Sequence, residues 1–332
     1  MELVKEPLHR NGPLPRALFD ASHGQTNWAQ TGFPSRELHT NFAGLTELLC
    51  RRGWHCCSTG QDSFQSYLAT SQLLILPPPT GRYDARKECW RRERPSLFTR
   101  EELRAVLSFL HAGGRLLAFA YRFGDAFTQT NLGDLFMPLG GQLNDDVVID
   151  LRALRQTHPL PLHFSTPAEL LSPTWARGGV ARVSWRPAAT FTLLPGATAW
   201  PLALSAGGAC LSFDRTLRRI CWTSRPLAVA GQHGPGRFAL FGGPHVFESS
   251  PLGLLAQPDN TRFLHNILDW LLQGAVGAGG PGLSLATPPT NTGHDWTGVE
   301  ARGEGARTIA AMERLLRQTG VFKALSRAKW MP

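Results

Sequence analysis

The sequence predicts an α/β fold in which one parallel sheet carries helices on both faces. Short apolar runs of strand length alternate with segments whose apolar residues recur at helical spacing. A strand, a helix and a second parallel strand join by a right-handed crossover, so this alternation distributes helices over both faces of the sheet. Hydrophobic residues make up 42% of the chain and charged residues 18%, which is enough apolar content to bury such a core.

Five apolar runs are predicted as the strands of this sheet. They are bounded by glycine, proline and polar residues, as strands of this length usually are. The third run is followed by Pro77, which cannot donate a hydrogen bond to a neighbouring strand. In chain order the predicted strands are residues 16–20, 54–57, 72–76, 115–119 and 237–241.

Helices are predicted between and after these strands. The segment 38–49 has helical apolar spacing and ends before Gly53, a residue suited to a left-handed helix end. Thr99 and Glu102 form the pattern of a capping box ahead of a second helical segment. Asp259 and Asn260 are predicted to cap the helix that follows the fifth strand.

The chain divides into four parts by composition. Residues 1–14 have the character of a tail, and residues 15–273 form the α/β domain, with a β-rich insertion at 140–235. Residues 274–306 are rich in Gly, Pro and Thr and are predicted to be a linker. Residues 307–332 combine an apolar stripe with basic side chains and are predicted to form an amphipathic helical tail.

Charge, hydropathy and cysteine content bear on the partners, the location and the thiol chemistry of the protein. The formal net charge of +9 favours anionic partners but carries no information about the fold. We expect a cytoplasmic protein without membrane insertion, since neither a signal peptide nor an apolar run of spanning length is evident. The six cysteines include no CxxC pair, so we expect free, buried thiols and neither a metal site nor a cofactor.

The candidate site lies where the predicted parallel strands end. Ligands of open α/β sheets bind beyond the carboxyl ends of the strands, which selects the loops 20–25, 121–131 and 242–248. Within and beside these loops the candidate ligand-binding residues are Asp20, His23, Gly24, Gln25, Tyr121, Asn131, Gly243, His245 and Glu248.

Two histidine–acid combinations in these loops each admit two interpretations. Asp20 and His23 could bind a polar ligand or assist proton transfer, or Asp20 could cap the turn while His23 is merely exposed. His245 and Glu248 could face the same cleft as His23, or His245 could simply bond to the backbone of a tight turn. Both interpretations of each pair remain open on the sequence alone.

The two turns where a nucleophile elbow would lie contain no serine or cysteine. A nucleophile elbow places Ser or Cys on the turn between a strand and a helix. Residues 77–80, after the third strand, and 120–124, after the fourth, contain neither Ser nor Cys. The sequence therefore argues against a hydrolase or amidotransferase that uses such an elbow.

Several segments, taken in chain order, resemble one known family. They are the first strand with Asp20, residues 99–119, residues 144–148 (NDDVV), residues 236–245 (GRFALFGGPH) and residues 259–271. Over roughly residues 15–273 they resemble the class I glutamine-amidotransferase-like domain. That domain is shared by the gliding-motility ABC-transporter auxiliary protein and an intraflagellar-transport complex-B core subunit.

This resemblance implies a flavodoxin-like sheet with strand order 2-1-3-4-5. It also implies a domain that has usually lost the amidotransferase cysteine and serves in binding or assembly. The family's elbow cysteine maps near Ala120 or Tyr121, and its C-terminal histidine maps onto His245. Glu248 lies three residues after that histidine, whereas the amidotransferase HPE motif places its acid two residues on.

Three functions follow as hypotheses. The first is a non-catalytic amidotransferase-like binding or scaffold module that takes a small polar or carbohydrate ligand, with a protein partner on residues 307–332. The second is a hydrolase-like enzyme that uses the histidine–acid pairs without a covalent cysteine. The third, nucleic-acid binding through the basic loop 86–94 and the tail, rests on net charge alone and is the least favoured.

Overall fold

The computed structural model describes most of residues 14–273. The predicted N-terminal tail up to residue 13, the linker, the helical tail, Gly24 and Gln25 lie outside the described residues. The described residues are 14–23, 42–59, 64–78, 82–84, 89–91, 97–125, 130–150, 166–170, 176, 178–205, 210–214, 219–221, 225–249 and 253–273.

Within these ranges the chain forms strands and helices in the following order. The strands are β1 (Arg16–Phe19), β2 (His55–Ser58), β3 (Leu73–Leu76), β4 (Arg82–Asp84), β5 (Cys89–Arg91), β6 (Arg115–Phe119), β7 (Gly141–Leu143), β8 (Asp146–Asp150), β9 (Thr166–Leu170), β10 (Val183–Trp185), β11 (Phe191–Leu193), β12 (Ala199–Ser205), β13 (Cys210–Asp214), β14 (Arg219–Cys221), β15 (Pro226–His233) and β16 (Gly236–Phe241). The helices are α1 (Ala43–Arg51), α2 (Phe64–Leu68), α3 (Arg100–His111), α4 (Leu132–Phe136), which continues into a 3-10 turn at Met137–Leu139, and α5 (Pro258–Leu272).

The main sheet contains nine strands in the order β10-β9-β12-β15-β16-β6-β3-β1-β2. The five predicted strands are β1, β2, β3, β6 and β16, and all neighbours among them pair in parallel. Their order, β2-β1-β3-β6-β16, is the 2-1-3-4-5 order that was expected. These five strands form the half of the sheet that carries the predicted site.

The other half of the sheet differs from the prediction of a purely parallel sheet. β15 pairs antiparallel with β16, and β12, β9 and β10 continue the sheet in antiparallel fashion. The segment 140–235 is β-rich as predicted, yet it extends the main sheet as well as forming additional small sheets, β7 with β11 and β8 with β13 and β14. The sheet is therefore mixed, because a hairpin at Gly234 reverses the chain ahead of β16.

Helices cover both faces of the sheet, as predicted. On one face α1 and α5 pack against alternate residues of the strands, including Phe19, Ile75 and Phe241. On the other face α3 and α4 pack against the intervening residues, such as Leu18 and Leu240. Both faces of the central strands are buried, which explains why β3 is apolar throughout and why β6 and β16 are apolar after Arg115 and Arg237 near their starts.

Two of the three predicted helix ends agree with the structure. Thr99 and Glu102 form a complete capping box at α3. Gly53 follows α1 with a φ of +80°. The third prediction is wrong: α5 starts at Pro258 after Gln257, which makes no side-chain capping bond. A proline at the first helical position is pre-organised for the helix and has no N–H to cap.

The thiols differ in part from expectation. Cys50, Cys56 and Cys57 are free, but Cys50 is exposed and the other two are only partly buried. Cys50 lies in the last turn of α1, and β2 is an edge strand of the sheet, so these positions are only partly covered by the described chain. Among the described helices none is long and apolar enough to span a membrane.

Candidate functional site

Two pairs, each of a histidine and a carboxylate, lie at the carboxyl ends of the parallel strands. Asp20 and His23 follow β1, while His245 and Glu248 follow β16. β1 and β16 are separated by β3 and β6, so the two pairs are three strand spacings apart. That separation is about 14 Å at the backbone, which is beyond the reach of a direct hydrogen bond between the pairs.

The Asp20 carboxylate is fully buried and accepts several hydrogen bonds. His23 Nδ1 lies 2.7 Å from Asp20 Oδ2. Asp20 Oδ1 accepts from the Ser22 amide at 3.0 Å, from the Ser22 hydroxyl at 2.7 Å and from the Thr59 hydroxyl at 3.3 Å. Thr59 follows β2, so Asp20 joins the ends of two neighbouring strands. By accepting from the Ser22 amide, Asp20 caps the turn after β1, which is the role that the second interpretation gave it.

His23 is held on its other sides by residues from distant parts of the sequence. Its Nε2 lies 3.4 Å from Glu102 Oε2 in the first turn of α3. Its ring stacks on Phe98 with a centroid distance of 3.9 Å. The Asn131 side chain fixes Phe98 in turn, accepting from the Phe98 amide at 2.9 Å and donating to its carbonyl at 3.0 Å. His23 is only 3% exposed, so the alternative of a merely exposed histidine is wrong.

The electrostatics of this cluster favour a charged imidazole between two carboxylates. Burial acts to lower the pKa of His23, but the hydrogen bond and charge of Asp20, aided by Glu102, raise it above its ordinary value. Burial acts to raise the pKa of Asp20, but His23 and Ser22 hold it below its ordinary value. A protonated imidazole with a carboxylate at each nitrogen connects β1 to α3 and is poorly suited to accept a proton.

The second pair is more open to its surroundings. His245 Nδ1 is hydrogen-bonded to Glu248 Oε2 and not to a backbone atom, contrary to the second interpretation of this histidine. The His245 side chain is 15% exposed, whereas that of Glu248 is 2% exposed. Tyr121, from the loop after β6, meets the His245 ring edge to face at 5.9 Å between centroids. These three predicted residues therefore form one local group.

Charged residues surround this second group. The Arg122 guanidinium lies over the Tyr121 ring, 5.3 Å from its centroid. Burial raises the pKa of Tyr121, an effect that Arg122 opposes and Glu248 reinforces. Burial lowers the pKa of Arg186, although the charge of Glu248 opposes that shift. The second group thus combines a phenol, an imidazole, a buried carboxylate and two guanidinium groups.

The loop that carries His245 is fixed by close backbone approaches. A Cβ at Gly242 would lie 1.9 Å from the Ala189 carbonyl oxygen, so only glycine fits there. Gly243 is less constrained, with Ala188 Cβ at 3.0 Å from the position of an added Cβ. The Asn260 amide donates to the carbonyls of Val246 at 3.2 Å and Ser184 at 2.9 Å, which ties the loop to β10.

Glu102, Phe98 and Asn260 contribute to the site but were not among the predicted site residues. Glu102 and Asn260 stood out in the sequence, but as parts of helix caps, and Phe98 carried no signal of its own. All three come from far along the chain, where neither spacing nor composition connects them to the loops. The single cleft shared by His23 and His245 stays a prediction, and Gly24 and Gln25 lie outside the described residues.

The turn after β6 has the backbone strain of a nucleophile elbow but lacks its nucleophile. Phe123 has a φ of +61° and is the one non-glycine residue with positive φ among those described. It lies four residues after the end of the central strand β6, which stops at Phe119, and it directly precedes helical residues at 124 and 125. Its side chain is 3% exposed and cannot act as a nucleophile. No group of three or more His, Cys, Asp or Glu within the described ranges is arranged to hold a metal ion.

Comparison with known proteins supports the fold and leaves the activity open. No family model and no curated protein matches the chain. Among solved structures, the mmIFT52 N-terminal domain aligns with a TM-score of 0.55 at 19% identity, over 78% of this chain and 98% of that one. The cytoplasmic proteins STM3548 and STM1381 from Salmonella typhimurium align at 15% identity with TM-scores of 0.46 and 0.43. They cover 78% and 77% of this chain, and 99% of each of their own. An identity of 19% supports a conclusion about the fold alone, and the chain shares the fold of the mmIFT52 N-terminal domain.

Proposed function

We propose that the chain is a non-catalytic, amidotransferase-like module that acts in binding or as a scaffold. The observation that carries this proposal is the turn at residues 120–124, which leads from β6 into helical residues, contains neither Ser nor Cys, and has its strained residue at Phe123. Strain of this kind costs about 1–3 kcal/mol and persists where the surrounding structure enforces it. In an enzyme with a nucleophile elbow such a turn exposes Ser or Cys, whereas here Phe123 is buried, as are Ala120 and Tyr121, near which the family's cysteine maps.

The arrangement around His23 supports the same conclusion. His23 is 3% exposed and contacts Asp20 through one ring nitrogen and Glu102 through the other, so it connects two parts of the structure. It joins the end of β1 to the start of α3 and thereby orders the loops at the carboxyl edge. Two of the motifs that resemble the amidotransferase-like family fall on β1 and α3, and the others fall on elements of the same domain, which has the fold of the mmIFT52 N-terminal domain.

The ligand class is a small polar molecule, for which a carbohydrate is one example. Tyr121 and His245 supply an aromatic surface beside hydrogen-bonding groups, the combination with which proteins hold polar ring compounds. Residues 307–332 are the proposed contact for a protein partner. The apolar stripe predicted from their sequence would need a surface to pack on, because the short helix it predicts would be marginal on its own in water.

The proposal is tested on the full chain with glutamine and with a covalent glutamine analogue carrying a diazoketone. We expect no ammonia release above that of glutamine alone and no mass increase of the intact protein. Ammonia release above that of glutamine alone, or an adduct whose formation excess glutamine prevents, would contradict the proposal. For the binding role, a panel of sugars and other small polar compounds is screened by thermal shift. We expect stabilisation by a ligand that is weakened in His245→Gln and unchanged in His55→Gln, an exposed control on β2.

A hydrolase-like enzyme is the second candidate, and the His245–Glu248 pair favours it. A buried carboxylate that orients a partly exposed imidazole is a suitable arrangement for general base catalysis on water. Hydrolysis of chromogenic esters or glycosides would then fall by about 100-fold or more in His245→Gln and by less in Glu248→Gln. Turnover that is equal in His245→Gln and wild type would exclude this pair as its source.

A further inference from the structure

Two cysteine side chains meet at the junction of α1 and β2. Cys50 Sγ, in the last turn of α1, lies 3.9 Å from Cys56 Sγ on β2. The Cys56 sulfur is also 3.9 Å from the carbonyl oxygen of Thr46, one helical turn before Cys50. The two thiols are therefore side by side on the face of α1 that packs against the edge of the sheet.

The neighbouring Cys57 points elsewhere. Successive side chains of a strand alternate between the two faces of a sheet. Cys57 Sγ accordingly lies 3.6 Å from the Ala17 carbonyl oxygen and 3.8 Å from an Arg16 guanidinium nitrogen, on the far side of β2. Cys57 has the same residue type and similar partial burial, so it serves as a control within the same strand.

We propose that Cys50 and Cys56 form a reversible disulfide bond in response to a peroxide oxidant. A disulfide requires the two sulfurs to approach to about 2.05 Å, so the pair must close by roughly 2 Å. The exposed Cys50 sits at the end of a helix, where a change of rotamer and a small backbone shift are tolerated more easily than in a helix interior.

The chemistry assigns a separate step to each thiol. The exposed Cys50 thiolate attacks one oxygen of hydrogen peroxide, which yields a sulfenic acid on Cys50 and releases water once the departing hydroxide is protonated. The Cys56 sulfur then attacks the Cys50 sulfur, and the sulfenic oxygen leaves with the Cys56 proton as a second water. The two thiols are oxidised by two electrons and the peroxide is reduced.

The order of the two steps follows from the environment of each thiol. Burial, together with Cys50 and Cys57, raises the pKa of Cys56 to about 12, so Cys56 stays protonated at neutral pH. Cys50 is the accessible member of the pair and reacts first. Cys56, held next to it by the packing of α1 on β2, resolves the sulfenic acid before further oxidation.

The bond would connect to the candidate site through α1. At the opposite end of this helix the Gly44 amide donates to the Ser249 hydroxyl at 2.7 Å. Ser249 directly follows Glu248, the carboxylate of the second histidine–acid pair. A disulfide at the C-terminal end of α1 therefore fixes the helix whose N-terminal end supports that loop.

The test uses the full chain, oxidised with a small excess of hydrogen peroxide and digested with trypsin without reductant. Arg51 and Arg52 lie between the two cysteines, so cleavage separates them onto different peptides. We expect these peptides to be joined with the loss of two hydrogens, and to separate on addition of a dithiol. The link should persist in Cys57→Ser and vanish in Cys50→Ser and Cys56→Ser.

The same measurement can overturn the proposal in two ways. Peptides that stay separate in the wild type, whether the thiols remain free or Cys50 proceeds to a sulfinic acid, would show that the pair does not close. A link that vanishes in Cys57→Ser and persists in Cys56→Ser would assign Cys57 as the partner instead. Circular dichroism of each serine variant checks that α1 and β2 are still formed.

Discussion

At the scale of single residues, the buried His23 side chain explains how polar groups are placed inside an apolar fold. A buried charge is costly unless it is paired and hydrogen-bonded. His23 meets both conditions through Asp20 and Glu102, and Phe98 covers its ring. The group therefore links the end of β1 to the start of α3, and it adds His23 to the partners that each carboxylate already has, Ser22 and Thr59 for Asp20 and the Thr99 amide for Glu102.

His23→Gln should destabilise the protein by about 1.5–3 kcal/mol, the usual cost of losing a hydrogen bond to a charged group. The raised pKa of His23 contributes stability that is complete below its unfolded value and is lost as pH rises through the folded value. The lowered pKa of Asp20 contributes stability above its unfolded value that is lost as pH falls. The difference between wild type and variant should therefore be largest between about pH 4 and 6.5.

Urea unfolding across pH measures this difference directly. His55→Gln is the matched control, since His55 is exposed on β2 and should shift stability by less than about 0.5 kcal/mol at every pH. A difference between His23→Gln and wild type that is independent of pH would show that the His23–Asp20 pair is not ionised in the folded protein.

At the scale of elements, patterns that are local in sequence were predictable. The five parallel strands and α3 follow from apolar runs and a capping box, and each of these signals lies within a dozen residues. The antiparallel strands β9, β10, β12 and β15 were seen as β-rich, yet their place in the main sheet was not predicted. Strand pairing joins residues that are distant along the chain, and short strands carry no mark of their partner.

The candidate site divides in the same way. The histidine–acid pairs were predictable because Asp20 and His23, like His245 and Glu248, are three residues apart in one loop. Asn260 was misassigned as a helix cap, because an amide near a helix start usually has that role. In the structure it bonds instead to Ser184 and Val246, contacts that only the folded chain creates.

Gly242→Ala tests how tightly this loop is constrained. The added Cβ would lie 1.9 Å from the Ala189 carbonyl oxygen. The chain after β16 cannot move away easily, because the Gly242 amide donates to the Leu227 carbonyl and the Gly242 carbonyl accepts from the Ala189 amide. We expect a loss of about 2–3 kcal/mol in the free energy of unfolding. Gly141→Ala is the control, since its nearest neighbour would be at 3.5 Å, and it should cost less than about 1 kcal/mol. Equal stabilities of the two variants would show that the backbone relaxes around Gly242.

At the scale of the whole molecule, the core of the sheet is completed by α5. Phe263, Leu264, Ile267, Leu268 and Leu271 of this helix are fully buried against the same face as α1. The Arg237 guanidinium donates to the Trp270 carbonyl and to the Gln273 side chain, which secures the end of the helix against β16. Both faces of the parallel half of the sheet are thus covered by elements that end at residue 272.

Removing residues 300–332 should therefore leave the melting temperature within about 2 °C, because few core contacts would be lost. The removed segment holds an apolar stripe at Ile309, Met312, Leu315 and Leu316 beside basic side chains, which suits a partner with an apolar, acidic groove.

A second truncation, after residue 257, removes α5 as well, and we expect it to abolish cooperative unfolding, since that helix buries one face of the sheet. Scanning calorimetry of both truncations decides between a tail that serves a partner and a tail that belongs to the fold. If removal of residues 300–332 alone lowers the melting temperature by 5 °C or more, roughly 1–2 kcal/mol for a domain of this size, these residues pack on the domain itself.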